Sequence, residues 1–332
     1  MNGDPKIVCL GANIESLAAL EALVSVRANI VGIITSHKKL ESRGSDYRDL
    51  MPFSRVNSIN LLRTDDINSI ESKNFIRSTS ATHLFILGWS QILDEDLINQ
   101  ITIYGSHPSK LPYGAGRAPI PWTIIERQES SAISIFEVVK EVDAGRIIYQ
   151  REFDVIKGST ATELYSEVSK QLSIGFVKVY KDIKNDDLTP VVQDDSQRTI
   201  RAKRTPFDGK IDFSKPASEV HSLISAVTEP FPGAYSFFGG EKVTIWKSEE
   251  VEYWQHKGTI GQILRKESNK LLVQCGDKPI WLYDFSSDNH AQLSTFDFAL
   301  GSSFGVLLED EVVALRKEIE DLKKVIRRNG LV

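Results

Sequence analysis

The sequence predicts an α/β protein with a mostly parallel sheet and flanking helices, followed by a small antiparallel β domain and a C-terminal helix. Three patterns indicate this fold: a strand–helix–strand unit at the start, five short strand-like runs between residues 233 and 285, and an apolar repeat near the end. The 332 residues, 41% of them hydrophobic, suffice for two compact domains. We predict domain ranges of 1–199, 200–300 and 301–332.

The first unit is expected to be Rossmann-like. KIVCLGAN is an apolar run, ESLAALEALVSV carries a helical stripe, and NIVGIITS is a second apolar run, which together predict a right-handed parallel crossover. The turn is only loosely similar to a dinucleotide fingerprint, because Asn13 and Ser16 stand where that motif needs glycine. An ordinary strand-to-helix turn is favoured, although a helix N-terminus can still help to bind an anion.

Composition and charge restrict the class of protein. The formal net charge of −5 argues against broad binding to a nucleic-acid backbone. The sequence has no apolar run of about 18 residues and no secretory leader, so a cytoplasmic protein without a membrane partner is expected. Cys9 and Cys275 lie in separate strand-like runs and are predicted to be buried free thiols.

The run SATHLFILGWSQIL predicts a buried strand that ends near Leu87. Ligands of α/β sheets collect beyond the carboxyl ends of the strands, so Gly88, Trp89 and Ser90 are expected at the rim. Trp89 is either a core side chain or a support for a flat heteroaromatic ring, and the sequence favours neither.

The stretch GSHPSKLPYGAGRAPIPW, residues 105–122, is predicted to be a shaped loop. Its four prolines lack a backbone N–H and fix φ, which argues against a helix or a central strand. His107 stands near its start with no second ligand at metal-binding spacing, so no metal site is predicted. Asp143, in VDAGRII after the following strand, could orient the imidazole at the same rim.

Further along, GSTATELYSEVSKQLSIGFVKVYKDI predicts a long amphipathic helix capped by Ser159 or Thr160, and DDLTPVVQDDSQ predicts a polar linker. Arg204 and Asp208 follow at the expected domain junction. They either contact a nucleotide or form a turn with a local ion pair.

The C-terminal domain is predicted to contain one helix, from about residue 217 to 227, and then five strands separated by Gly and Asp turns. We interpret its aromatic residues Tyr235, Phe237 and Phe238 as core, because no basic residues are interleaved with them.

The last segment has apolar residues alternately three and four positions apart, a heptad pattern. Either two chains pair here or the helix docks on its own domain, and we predict a homodimer. The repeated positions are Val312, Leu315, Ile319, Leu322 and Ile326.

Two motifs, HPSKLPYGAGRAPIPW and VDAGRII, carry a resemblance to a known family. In order and spacing they resemble the SLLP signature and the aspartate loop of the formyltransferases that use 10-formyltetrahydrofolate. The segment from Arg204 to Trp246 is similar to the junction and C-terminal domain shared by methionyl-tRNA formyltransferases and nucleotide-sugar N-formyltransferases. The resemblance covers about residues 5–285 and implies an OB-like barrel for the C-terminal domain.

The resemblance implies transfer of a formyl group from 10-formyltetrahydrofolate to a primary amine, with no metal and no covalent intermediate. Proton handling falls to His107 and Asp143, beside Gly105 and Ser106. The residues expected to hold the folate, mainly through their backbone, are Leu87, Gly88, Trp89, Ser90, Glu141 and Val142. Those expected near the amine substrate are Asn13, Pro108, Ser109, Arg117, Arg204 and Asp208.

The chain departs from the family at one catalytic position. The family has Asn-x-His, whereas this sequence has Gly105 before Ser106 and His107. Loss of one oxyanion donor typically costs about two to three orders of magnitude in rate. We expect a replacement from Ser106, Ser90 or Gln91, from the Gly105 N–H, or from an ordered water. A protein that binds its ligands without efficient turnover is the alternative.

A second departure concerns Arg117, which follows Ala115 and Gly116 where relatives often have Arg-Gly-Arg. Its guanidinium suits a phosphate or carboxylate, and a salt bridge is the alternative.

The net charge decides between two classes of amine. A tRNA substrate requires a basic face, but the segment after Thr35 mixes Lys38, Lys39 and Arg43 with Glu41 and Asp46. A nucleotide-linked amino sugar needs only a few cations. The sequence therefore predicts a sugar N-formyltransferase, with methionyl-tRNA formyltransferase and a catalytically weak folate or sugar-nucleotide binding protein as alternatives.

Overall fold

The computed structural model describes residues 4–37, 46–289, 291–305 and 308–328. The charged run at 38–45, which bears on the predicted substrate, lies outside them. The chain forms two compact units, Met1–Asp208 with Ser225–Pro232, and Gly209–Ile224 with Gly233–Val332. The predicted boundary after residue 199 falls inside the first unit, because Ile200–Arg201 pair there with Ala115–Gly116.

The first unit is built on a seven-stranded sheet of order β3-β2-β1-β4-β5-β7-β8. Strands β1 to β5 are parallel, whereas β7 is antiparallel to β5 and to β8. The strand order reverses between β1 and β4, so the ligand crevice of such a sheet is expected at their carboxyl ends. The nine strands of this unit, two of them in a short separate pair, are β1 (Ile7–Leu10), β2 (Ile30–Thr35), β3 (Leu61–Arg63), β4 (His83–Ile86), β5 (Thr102–His107), β6 (Ala115–Gly116), β7 (Ser130–Glu137), β8 (Ile147–Asp154) and β9 (Ile200–Arg201).

Helices cover both faces of this sheet in the way the apolar patterns predict. The long predicted helix is α6, and the side chain of Thr160, the residue before its first turn, caps it together with Glu163. Its apolar face reaches the sheet where Phe176 packs on Phe85, with ring centroids 5.2 Å apart. The helices are α1 (Ile14–Ser25), α2 (Met51–Val56), α3 (Ile70–Ser78), α4 (Glu95–Gln100), α5 (Pro119–Ile125) and α6 (Ala161–Asn185).

The stretch 105–122 is not a continuous loop, and this expectation was wrong at both ends. Gly105–His107 complete β5, since the first proline comes only at residue 108 and leaves the preceding residues free to pair. Pro119 begins α5, because the first turn of a helix needs no donor from its own N–H groups. His107 is therefore the last residue of a central strand.

The second unit is antiparallel, as predicted, with strand order β10-β11-β14-β13-β12 and β15 paired to β14. Its core includes Phe298, which packs on Phe238, Phe285 and Phe304. Helix α7 (Ala217–Val227) runs from this unit into the first. The other elements are β10 (Ala234–Phe238), β11 (Glu241–Glu250), β12 (Ile263–Lys266), β13 (Lys270–Gln274), β14 (Pro279–Ser287), β15 (Gln292–Leu293) and α8 (Leu308–Arg328).

Both cysteines are free and buried, as predicted. Burial raises the pKa of the Cys9 thiol far above its usual value, so this side chain is an inert part of β1. Within the described ranges, no helix is both long and apolar enough to cross a membrane.

Candidate active site

His107 and Asp143 meet at the carboxyl end of the first sheet. His107 ends β5, and Asp143 lies in the turn between β7 and β8. Imidazole Nδ1 is 3.7 Å from the Asp143 carboxylate oxygen Oδ2, and both side chains are largely buried. The sequence placed each residue near the rim, and the antiparallel pairing of β5 with β7 is what brings them together.

The second ring nitrogen of His107 fixes the tautomer. Nε2 lies 2.9 Å from the carbonyl oxygen of Gly114, and a carbonyl can only accept a hydrogen bond. Nε2 therefore carries the hydrogen of the neutral ring, and the lone pair lies on Nδ1, facing Asp143. This arrangement leaves Nδ1 free to take a proton beside a carboxylate that stabilises the resulting cation.

Burial holds His107 in the neutral form. The loss of solvent lowers its pKa below the ordinary value, and the nearby Asp143 carboxylate and the Gly114 carbonyl offset this only in part. The charge of Arg201 lowers the pKa slightly further. A neutral imidazole with a free nitrogen is a base at neutral pH.

Three hydrogen bonds hold Asp143 and the turn around it in place. The backbone N–H of Gly116 donates to Asp143 Oδ2 at 2.9 Å, so the loop that follows β5 also fixes the carboxylate. The backbone of Asp143 has a φ of +55°, a left-handed conformation that needs support from neighbours. Gln193 Nε2 supplies that support, donating to the carbonyl oxygens of Asp143 at 2.8 Å and Gly145 at 2.7 Å.

The segment from Val191 to Ala202, here called the junction segment, also ties down the loop after His107. Thr199 accepts from the Gly114 and Ala115 backbone N–H groups, and Trp122 Nε1 donates to the Ala202 carbonyl oxygen. Arg201 is buried, forms a 2.7 Å ion pair with Glu126 and lies against Gly114. The predicted polar linker DDLTPVVQDDSQ covers the first part of this segment. No pattern in the sequence indicates that the segment makes these contacts.

The position of Gly105 is filled by its neighbours. A Cβ built on Gly105 would lie 3.0 Å from Val138 Cγ2 and 3.4 Å from the Phe136 ring, so apolar groups lie where a side chain at residue 105 would begin. Because Gly105 and His107 are two residues apart in one strand, they point to the same face of the sheet. The missing asparagine would therefore have faced the site.

The side chains expected to replace the missing amide are engaged elsewhere or exposed. Ser106 points to the opposite face from His107, and its hydroxyl donates to the Ile86 carbonyl oxygen at 3.2 Å. Gln91 Nε2 donates to Asp66 at 2.6 Å. Ser90 is exposed, and its carbonyl oxygen accepts from Arg117 at 3.0 Å. Gly105 pairs with Phe136 inside the sheet, which engages its backbone N–H. Of the expected sources, this leaves a water molecule and the Ser90 hydroxyl.

The residues expected to hold folate lie on two segments that flank Gly116 and Arg117. Arg117 contacts Ser90, and Gly116 contacts Asp143, so the rim after β4 and the turn around Glu141 and Val142 border the same loop. Trp89 is half-buried against the core, yet its indole Nε1 is buried with no partner among the described residues. A buried donor without a partner is a candidate for a hydrogen bond to a bound heteroaromatic ring. The Val142 carbonyl, in contrast, already accepts from Arg198.

Asn13 is part of a polar cluster at the reversal of strand order rather than a free ligand group. Its amide nitrogen donates to Glu15 at 2.9 Å and to Asp46 at 3.4 Å, and Asp46 accepts from Tyr165 at 3.0 Å. Gly88 has a φ of +112°, and a Cβ there would meet the Asn13 and Glu15 side chains. Burial, and secondarily Asp46, raises the pKa of Glu15 to about 8, so it stays protonated at neutral pH.

The remaining candidate residues differ in how available they are. The Ser109 hydroxyl is committed to the Tyr113 and Gly114 carbonyl oxygens, so Ser109 shapes the loop beside Pro108. Arg204 stacks on the Trp122 ring at 5.1 Å and donates to the Asp208 carbonyl oxygen at 2.8 Å. The Asp208 carboxylate accepts from Thr205. Arg204 and Asp208 thus form a closed turn. Across the ranges that the structure covers, no three His, Cys, Asp or Glu side chains are grouped to hold a metal.

Comparison with known families agrees with the fold. Residues 6–180 match the formyl transferase family model and residues 203–303 match the formyl transferase C-terminal domain. The first match covers more than half of the 332 residues, so the chain belongs to the formyltransferase family. It is a formyl-transferring enzyme of the class that takes its formyl group from 10-formyltetrahydrofolate.

The chain is similar along nearly its whole length to curated family members. A methionyl-tRNA formyltransferase of Ruminiclostridium cellulolyticum is 26% identical over 90% of this chain and 96% of its own length. That of Solibacter usitatus is 25% identical over 89% of this chain and 95% of its own length.

Solved structures share the fold. HypX from Aquifex aeolicus aligns with a TM-score of 0.65 at 15% identity over 88% of this chain, which spans about half of that longer protein, 47%. A sugar 3N-formyltransferase crystallised with dTDP and 5-N-formyl-THF gives a TM-score of 0.61 at 21% identity, covering 85% of this chain and 98% of that one. At these identities the likeness concerns the fold alone.

Proposed function

We propose that this enzyme transfers the formyl group of 10-formyltetrahydrofolate to the primary amine of a nucleotide-linked amino sugar. One observation carries the chemistry: the neutral His107 has its free Nδ1 directed at the Asp143 carboxylate, 3.7 Å away. Amine attack on a formyl carbon places positive charge on nitrogen, and a base must remove the extra proton.

His107 takes that proton at Nδ1, and Asp143 stabilises the imidazolium. The imidazolium returns the proton to N10 of tetrahydrofolate as the bond between the formyl carbon and N10 breaks. The Gly114 carbonyl holds the ring through Nε2 at the same time, so the imidazole does not rotate when it becomes charged. Gly116 and Gln193 keep the carboxylate in position before and after the transfer. Trp89 Nε1 and the backbone of residues 88–90 are the groups that suit the pterin ring. The Leu87 backbone already donates to Leu10 and accepts from Ser16.

Charge supports a small substrate. The net charge is −5, and the cations nearest the loop after His107 include the exposed Arg117 and the ring-stacked Arg204. Two arginines match the two phosphates of a nucleotide sugar better than the long phosphate backbone of a tRNA. An N-formyltransferase of Helicobacter canadensis, crystallised with folinic acid and dTDP-3-aminofucose, has the same fold with a TM-score of 0.62 at 17% identity. A cytoplasmic location stays a prediction.

Methionyl-tRNA is the second candidate. Methionyl-tRNA formyltransferases align with this chain over 95 to 97% of their own lengths. The alignment therefore leaves out no large part of those enzymes.

A direct assay separates the candidates. The purified chain is incubated with 10-formyltetrahydrofolate and either a panel of nucleotide-linked amino sugars or charged initiator tRNA, and the products are weighed by mass spectrometry. We expect one added formyl group on a sugar and none on methionyl-tRNA. The reverse result would establish the tRNA reading, and tight binding of both substrates without product would remove the catalytic proposal.

His107→Asn is the matched variant for this assay. It retains a polar planar side chain but no base, so we expect transfer to fall by about two to four orders of magnitude while the melting temperature changes little. An unchanged rate would exclude His107 as the base.

A further inference from the structure

We propose that α8 pairs with α8 of a second copy of this chain as a parallel two-stranded coiled coil. The paired face, here called the seam, consists of one apolar stripe on a helix whose other positions are mostly charged. Its residues are Val312, Leu315, Ile319, Leu322 and Ile326.

The seam is not covered by its own domain. All five side chains remain between 38% and 56% exposed, although side chains of these types are usually buried. The helix is 21 residues long, about 31 Å at 1.5 Å per residue. An isolated helix of that length gains most of its stability from packing, so the stripe needs a partner.

Residue types along the seam select a second copy in parallel orientation. With the heptad lettered so that Val312 is at position a, Ile319 and Ile326 also fall at a, and Leu315 and Leu322 fall at d. β-Branched residues at a combined with Leu at d favour two parallel strands over trimers or tetramers.

Charges beside the seam agree with this orientation. Glu318 is at position g and Lys323 is at the following position e. In a parallel dimer, position g of one helix faces the following e of the other, so two symmetric Glu–Lys pairs form across the interface. An antiparallel pair would instead place g opposite g and e opposite e. Glu318 and Lys323 thus favour the same orientation as the seam.

The oligomeric state of the full chain tests the proposal. By sedimentation equilibrium we expect a reversible dimer of the wild-type protein. Leu322→Asp, which places a charge in the seam, should raise the dissociation constant by at least about 100-fold. Lys317→Asp, at the outer position f, adds the same side chain away from the seam and should change it by less than about threefold. A wild-type monomer, or a dimer that Leu322→Asp leaves intact, would overturn the proposal.

Two further variants test the orientation without depending on a variant that could simply unfold the helix. Lys323→Glu should weaken the dimer through Glu–Glu contacts, and adding Glu318→Lys should restore it. Under mild oxidation Ile326→Cys should cross-link fully, whereas Lys317→Cys should not. A failure of charge reversal to rescue, or equal cross-linking at both positions, would contradict the parallel arrangement.

Discussion

Gly105 stands where the family resemblance predicts an asparagine, and the structure gives this difference a steric context. Val138 and Phe136 approach the place where a Cβ would be added, so the site has adapted to a missing side chain rather than leaving a gap for it. Restoring the asparagine alone should therefore cost stability, because a contact of 3.0 Å requires Val138 to move.

We predict that Gly105→Asn combined with Val138→Ala raises kcat, by about tenfold or more, since it returns an amide donor to the face of β5 that carries His107. Gly105→Asn alone should lower the melting temperature. Val138→Ala should lower the melting temperature less when residue 105 is asparagine than when it is glycine. Calorimetry and steady-state kinetics on the four proteins of this cycle provide the measurement.

Gly105→Ala, alone and with Val138→Ala, controls for bulk without the amide. If the alanine variants gain as much rate as the asparagine variants, the gain does not come from an oxyanion donor.

Glu15 gives a pH-dependent term in stability. Its pKa rises from 4.5 to about 8 on folding, chiefly because burial disfavours the charge. Below pH 4.5 both states keep the proton, and the group costs nothing. Between pH 4.5 and about 8 the unfolded chain loses the proton while the folded chain keeps it, so stability falls as the pH rises.

We expect Glu15→Gln to remove that loss, since a glutamine oxygen can still accept from Asn13. The variant should match the wild type at about pH 4 and exceed it near pH 8, by roughly 4 kcal/mol or about 8–16 °C in melting temperature. Thermal unfolding across this pH range measures the effect. The exposed Glu21 on the same helix is the control, and a pH-independent gain for Glu15→Gln would contradict the assignment.

At the scale of elements, the junction segment determines the geometry of the site. Gln193 holds the turn that carries Asp143, while Thr199 holds the loop after His107. Both catalytic side chains are thus positioned by a segment that lies about 50 residues beyond Asp143 in the sequence.

We predict that Gln193→Leu lowers kcat by about 10- to 100-fold, because small displacements of a catalytic group are costly. Since the Asp143 charge raises the pKa of His107, a displaced Asp143 should also shift the acid limb of kcat/KM to lower pH. The pH–rate profile distinguishes this effect from a general loss of folded enzyme. Gln197→Leu, in the same segment but exposed and bonded to Asp194, should leave both quantities unchanged.

The elements with a strong local apolar pattern could be predicted from the sequence, and the elements without one could not. The apolar runs of β1, β4 and β7 and the stripe of α6 are local signals, and the predictions made from them agree with the structure. The short edge strand β3, with only three residues, gave no such signal within its polar surroundings. The proline count misled at β5 and α5, because what matters is where each proline stands in its element.

The site was predictable as residue types but not as contacts. His107 and Asp143 could be named from their motifs, whereas their separation depends on the pairing of β5 with β7. Gln193 and Arg201 act through tertiary hydrogen bonds and an ion pair, and a glutamine or arginine in a polar segment has no sequence pattern that announces such a role.

For the whole molecule, the balance of charge determines how substrate binding depends on salt. The chain has 40 Lys and Arg against 45 Asp and Glu residues, so an anionic substrate gains little from the overall field. Its attraction has to come from local cations such as Arg117 and Arg204.

We therefore expect kcat/KM for a nucleotide-linked amino sugar to depend weakly on salt. In a plot of log kcat/KM against the logarithm of the salt concentration, two phosphate contacts correspond to a fall with a slope of at most about 2. A tRNA held by six phosphate contacts gives a fall with a slope near 5. Arg117→Gln should reduce the slope by about one, and Lys317→Gln on α8 should leave it unchanged. A slope that Arg117→Gln leaves unchanged would mean that the phosphates are bound by cations elsewhere on the surface, and would contradict the role proposed for Arg117.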